Sequence, residues 1–134
     1  MITIIGATAC GKTSLAVALA RKLDTEIISG DSRQVYRNMD IGTGKDLREY
    51  TVDGQEVPYH LIDIVPAGSK YNIFNFQRDF LKVYTDITAR GKEPVFCGGS
   101  GLYVESILRG YRLFDVPQNP ELRESLQGKS LAEL

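Results

Sequence analysis

Eight consecutive residues carry the first recognisable chemistry: Gly6-Ala7-Thr8-Ala9-Cys10-Gly11-Lys12-Thr13. This G-x-x-x-x-G-K-T pattern follows the apolar run Ile2 to Ile5 and opens directly into helical periodicity, the setting the motif requires. Two glycines let the backbone curl until successive N–H groups and a helix N-terminus point at one phosphate. Lys12 adds a compact positive charge, and Thr13 a hydroxyl suited to Mg²⁺. A glycine turn that binds nothing would need neither residue, so the loop is read as a cradle for a phosphate or diphosphate. Kinases, GTPases and other transferases share it, which leaves the bound compound open at this point.

A second chemical cluster is Asp31-Ser32-Arg33-Gln34-Val35-Tyr36, which follows the second buried strand expected at 25–29 and Gly30. An acid, a hydroxyl, an amide and an aromatic at the carboxyl end of a strand match the crevice where α/β sheets bind ligands. Asp31 or Ser32 would also serve as the N-cap of a short turn, and the two roles are compatible. Gly98-Gly99-Ser100-Gly101 is a third such loop, flexible enough to approach a ligand or the first loop closely, or simply a tight connection. Lys45, within Gly42-Thr43-Gly44-Lys45, is either a phosphate contact or a solvated charge. His60, the only histidine, has no nucleophile pattern around it and is read as a hydrogen-bonded structural residue.

Positioning these loops requires a parallel sheet. Residues 1–5 read as a central strand covered on both faces, and Leu15, Ala18, Leu19 and Leu23 as the packed face of a helix from Ser14. With the strand at 25–29 they complete a βαβ unit. Asp53-Gly54 marks a hairpin within 51–57, and residues 58–65 a further extended segment. Asn72 caps an amphipathic helix whose stripe is Phe76, Phe80, Val83, Tyr84 and Ile87, ended by Gly91. A short buried strand at 94–97 and a helix at 102–109 follow. Residues 111–118 form a linker, Asn119-Pro120 starts a short helix, and Ser130 to Glu133 has the S-x-x-E form of a capping box.

The fold expected is therefore α/β, a three-layer arrangement like that of P-loop NTPases with a parallel sheet. Residues 1–134 form one core, and about 111–134 lead into a helical region that is cut off. The chain has 134 residues, short for a complete enzyme of this kind, so truncation is expected. Seventeen acidic and sixteen basic residues give net charge −1, so a polyanionic partner would have to meet local patches. With no long apolar run and no leader before the first strand, a soluble, cytoplasmic, monomeric protein without a membrane partner is expected. Cys10 and Cys97 show neither metal spacing nor a disulfide framework, and Cys97 is read as a small buried hydrophobe.

Taken in order, GATACGKT, DSRQVYRNMDIGTGK, VPYHLIDIV and GGSGLY resemble the tRNA dimethylallyltransferase family across residues 2–125. The family commonly has Pro at Ala7, Ser at Cys10, Ala at Gly44 and Thr at Ser100; each difference is small. The resemblance implies that residues 6–13 hold the diphosphate of dimethylallyl diphosphate, although such proteins are often described as ATP-binding. It implies that the acceptor is N6 of an adenine beside the tRNA anticodon, flipped out of its stack. Asp31 would accept the N6 proton and Gln34 read the adenine edge. Lys12 and Thr13 with Mg²⁺ would stabilise the leaving diphosphate. By the same resemblance Asp31, Ser32, Arg33, Gln34, Ser100 and Arg123 fall at positions expected to meet tRNA, and Lys45 at one expected to contact phosphate. The family's chains are longer, so the segment alone is expected to be inactive. Two other readings stay open: a small-molecule kinase using ATP with Asp31 as base, and a non-catalytic ligand-binding fragment.

Overall fold

The computed structural model describes residues 1–133; the final residue, at 134, lies outside the described residues. Four strands form one parallel sheet, β1 (Ile2–Ile5), β2 (Ile27–Ser29), β5 (Tyr59–His60) and β6 (Val95–Gly98), in the order β1-β6-β2-β5. The register places Ile4 beside Cys97 and Ser29 beside Cys97, so the three strands end together. A separate hairpin, β3 (Thr51–Val52) and β4 (Gln55–Glu56), turns at Asp53-Gly54 with φ of 51° and 76°, both left-handed as a tight hairpin turn requires.

Side-chain alternation along the strands divides the core in two. Ile27 and Val95 face α1 (Lys12–Lys22) together with Tyr50, Val57 and Ile62. Their neighbours Ile28 and Phe96 face α2 (Ile73–Ala89) and α3 (Gly101–Leu108). The result is the expected three layers, helix on both faces of a parallel sheet. The second core is aromatic: Phe76 stacks on Tyr103 at 4.4 Å between ring centroids, and Phe80 meets Phe96 edge-on at 4.8 Å. At the start of α2, Asn72 and Asn75 exchange side-chain to backbone hydrogen bonds in a full capping box. All of α4 (Pro120–Leu126) is exposed, and its start is capped by Asn119.

Four expectations are corrected. β1 is a sheet end, not its centre, because β6 inserts between it and β2; among the described residues no strand pairs with its outer edge, and Ile5 is 62% exposed. The buried face of α1 is built mainly of small residues: Ala16, Val17 and Ala20 are buried with Leu19 partly buried against the same core, while Leu15, Ala18 and Leu23 are exposed. Small side chains let the helix approach the sheet closely behind the glycine loop, and that loop sets the helix's rotation. Residues 58–65 pair as a strand only at Tyr59–His60, since Leu61 and Asp63 have φ of 64° and 55° and break the extended run. Cys97 is half-buried rather than fully enclosed.

Candidate functional site

The carboxyl ends of β1, β2 and β6 open onto a cleft of about 1290 Å³, above the roughly 300–1,000 Å³ common for single small ligands. Residues 8–13 form one wall, residues 31–34 the facing wall and residues 97–100 the floor between them. Gly6 precedes this lining. A Cβ there would meet Cys10 Sγ at 3.3 Å, so the loop is folded tightly on itself. Gly11, at φ 79°, is the N-cap of α1 and turns the chain into the helix from the left-handed region. Thr8, Ala9 and Cys10 are exposed to the cleft, with Ala7 beside them. Lys12 bends back so that Nζ donates to Ala7 O and lies 3.9 Å from Cys10 Sγ. The same ammonium lies against Gly99, where a Cβ would be 3.9 Å from it. Lys12 therefore links the first loop to the floor.

Asp31 begins a turn of Asx type. Its Oδ1 accepts from Arg33 N at 2.8 Å and more weakly from Gln34 N at 3.4 Å. Capping and exposure to the cleft thus coexist, because the second carboxylate oxygen is left for a ligand. Ser32 is bound twice to Ser100: Ser32 N donates to Ser100 Oγ at 2.8 Å, and Ser100 Oγ donates to Ser32 Oγ at 3.0 Å. Beneath them the tips of β2 and β6 are in backbone contact. A Cβ at Gly98 would stand 2.6 Å from Gly30 O, and one at Gly30 would stand 2.7 Å from the Phe96 ring. At Gly98, then, glycine serves strand-to-strand approach rather than ligand approach. Arg33 lines the cleft and is exposed, whereas Arg123, on exposed α4, lies outside the cleft lining.

Lys45 occupies a different role from a free phosphate contact. Its side chain is fully buried, with Nζ donating to Tyr36 O at 2.8 Å, Asp40 Oδ1 at 3.0 Å and Asp63 Oδ1 at 2.6 Å. These three acceptors use all three ammonium protons. Burial pulls its pKa down, but the carboxylates of Asp63 and Asp40 outweigh this and raise it, so the group stays charged. The same strut involves Arg37, whose guanidinium donates to Asp63 O at 2.8 Å and Ile64 O at 3.2 Å. Sequence reading singled out neither Arg37 nor Asp63 nor Ser29, which all line the cleft. Asp63 had a detectable signal, an acid interrupting an apolar extended run; Ser29 had none.

At the opposite end of the sheet, His60 Nε2 meets Glu26 Oε2 at 2.7 Å, and Arg90 grips both oxygens of the same buried carboxylate. The Arg90 hydrogen bonds, against the cost of burial and with help from His60, hold the Glu26 pKa down at about 2. His60 has the structural place expected of it.

This arrangement defines a class: a three-layer α/β protein with a glycine loop, an acid-bearing turn and a glycine floor around one cleft at the carboxyl edge of a parallel sheet. Comparison narrows the class. A family model described as IPP transferase matches residues 34–134, and one described as isopentenyl transferase matches residues 1–59. A tRNA dimethylallyltransferase of Phocaeicola vulgatus is 67% identical over all of this chain, and one of Parabacteroides distasonis 64%. The chain spans 44% of the length of each. Among solved structures, a full-length tRNA isopentenylpyrophosphate transferase from Bacillus halodurans superposes with TM-score 0.77 at 41% identity, over 94% of this chain and 41% of that one. A eukaryotic dimethylallyltransferase acting on tRNA gives 0.80 at 29% identity, over 97% of this chain and 32% of that one. The chain belongs to the IPP transferase family.

Proposed function

We propose that this chain forms the diphosphate-binding and base-accepting part of an enzyme that transfers a dimethylallyl group from dimethylallyl diphosphate to N6 of an adenine beside the tRNA anticodon, releasing diphosphate. One observation carries the reading most directly: Asp31 and the Lys12 loop face each other across one cleft, an acid opposite an anion cradle. In this arrangement the donor's diphosphate sits on the N–H groups of residues 6–13, beside Lys12. The adenine enters against the turn at 31–34, with Asp31 accepting the N6 proton as the amine attacks the allylic carbon. Lys12 stabilises charge that grows on the departing diphosphate. Ser32, Arg33 and Ser100 rim the acceptor side, and Arg123 would reach the tRNA outside the cleft.

Mg²⁺ fits this donor set. Thr13 offers one hydroxyl at the first turn of α1, and among the described residues no group of three or more acidic, histidine or cysteine ligands forms a cage. A metal that keeps several waters and takes the rest of its ligands from diphosphate needs no more from the protein. When bound, it would supply charge neutralisation to the leaving group. Among the described residues no helix is long and apolar enough to cross a membrane. We take the working enzyme to be cytoplasmic and monomeric, and the 134-residue chain alone to bind diphosphate without turning over.

The test compares Lys12→Ala with Asp31→Asn, first for dimethylallyl diphosphate affinity in this chain. Turnover is then measured in a chimera that continues into the Phocaeicola vulgatus relative, by single-turnover prenylation of an anticodon stem-loop. Lys12→Ala should lose both affinity and rate. Asp31→Asn should bind diphosphate normally and transfer about a hundredfold to ten-thousandfold more slowly. Normal transfer by Asp31→Asn with impaired diphosphate binding would refute the base role. Release of ADP from ATP in place of prenylated adenine would establish a kinase instead.

A further inference from the structure

The side-chain amide of Gln34 is held between two partners of opposite chemistry. Ser29 Oγ donates to Oε1 over 3.1 Å, while Nε2 donates to Gly44 O at 3.2 Å, with Thr43 O a more distant second acceptor at 3.5 Å. A carbonyl oxygen can only accept, so the amide nitrogen must face residues 43–44 and the amide oxygen must face Ser29. Rotating the amide by half a turn would set its oxygen against the Gly44 oxygen. The hydroxyl of Ser29 tolerates either orientation by itself, but here it is committed as a donor.

Both partners are held in place. Ser29 is the last residue of β2, 3% exposed and in register with Cys97. The Gly44 carbonyl belongs to a loop pinned by the adjacent Lys45, whose buried ammonium draws in Asp40, Asp63 and the Tyr36 carbonyl. The main chain of Gln34 is fixed as well, since Asp63 N donates to its carbonyl at 3.0 Å. The side chain lines the cleft beside Asp31. An amide carries two N–H groups and two lone pairs, so with one N–H on Gly44 O, which the distant Thr43 O shares, and one lone pair on Ser29, a donor and an acceptor remain for a ligand.

We propose that Ser29 is a positioning residue for base choice: the pinned Gly44 carbonyl sets which end of the Gln34 amide donates, and the Ser29 hydroxyl holds the amide oxygen in that place, so that the cleft takes an adenine edge and rejects a guanine edge. Adenine presents an amino donor beside a ring-nitrogen acceptor, which an amide of fixed orientation meets twice. Guanine presents two acceptors there, O6 and N7, and one of them must face Oε1. Sites that leave a buried polar group unpaired with the wrong ligand discriminate far more than those that only adjust fit. This inference rests on the adenine acceptor proposed above.

The experiment uses the whole 134-residue chain with dimethylallyl diphosphate present. Anticodon stem-loop RNAs carrying adenine or guanine at the acceptor position are titrated, with the Gln34 side-chain N–H resonances as reporters. For the unmodified chain, the Gln34 amide protons should exchange slowly, and adenine should be preferred by about ten- to a hundredfold. Ser29→Ala should speed that exchange and reduce the preference to a few-fold, with diphosphate affinity unchanged. Ser29→Thr, which keeps the hydroxyl, should restore both. A merely structural role for Ser29 would weaken both RNAs alike and leave their ratio intact, and that outcome overturns the proposal. An unchanged ratio in Ser29→Ala despite a freed Gln34 amide overturns it too, while leaving the adenine reading in place. Absence of any adenine preference in the unmodified chain, including no RNA binding, would defeat the acceptor reading itself.

Discussion

Cys10 occupies an exposed position in the glycine loop with a lysine ammonium 3.9 Å from its sulfur. Cys97 sits half-buried at the cleft floor, where burial pushes its thiol up to about 11, so that little thiolate exists near neutral pH. Cys10 should therefore be alkylated more than about tenfold faster than Cys97, and bound diphosphate should protect it. Peptide mapping after brief iodoacetamide treatment checks this; equal rates unaffected by ligand would contradict the loop described. Glu26 makes a prediction in pH. Its folded pKa of about 2 lies below the 4.5 of an ordinary glutamate, so the unfolded chain binds more protons between those values and stability falls as the solution is acidified through that range. The contribution above the window is about 2 kcal/mol, allowing for solvent screening at half-exposed Arg90. Glu26→Gln should lower stability at neutral pH and flatten the loss between pH 4.5 and 2, as read from urea melts. At this scale the shape of the glycine loop and of the Asp31 turn was legible because both are local in the chain. Lys45 was not, since its partners Asp40 and Asp63 come from separate stretches and no spacing rule connects them.

Among the elements, the meeting of β2 and β6 is the least forgiving. A methyl group at Gly98 would be forced to 2.6 Å from Gly30 O, and both sides of that contact are backbone. Gly98→Ala should cost about 1–3 kcal/mol or more and, by parting the strands, loosen the Ser32 to Ser100 link; a lower thermal midpoint with weaker diphosphate binding is the expected readout. Asn72→Ala, which removes only the capping box of α2, should cost about 1 kcal/mol and leave diphosphate binding intact. Helix α2 was readable because its cap and its 3.6-residue aromatic stripe agree, and Phe76, Phe80 and Ile87 are indeed buried. Strand order was not readable. An apolar run such as Ile2 to Ile5 declares that a strand wants cover, but not which neighbour inserts beside it. The packed face of α1 was misjudged for a related reason: leucines mark apolar surface, whereas the approach to the sheet is governed by Ala16, Val17 and Ala20.

For the molecule as a whole, the sheet order has a temporal side. β1 and β2 come early in the chain, but they do not touch; the strand that joins them is β6, the last of the sheet to appear. The amino-terminal ammonium of Met1 likewise finds its carboxylate partner in Glu93, 92 positions away. During synthesis from the N-terminus, residues 6–13 must therefore wait, exposed, until the segment ending at Gly98 has left the ribosome. Only then can the floor form under Lys12. Such long-range closure makes for slow folding, since the entropy of a large loop is lost before the contacts that compensate it are made. A nascent chain arrested before β6 should be protease-sensitive throughout its glycine loop, and one arrested well beyond Gly101 should be resistant. The loop that looks most local in the sequence is thus among the last parts of the sheet's edge to mature.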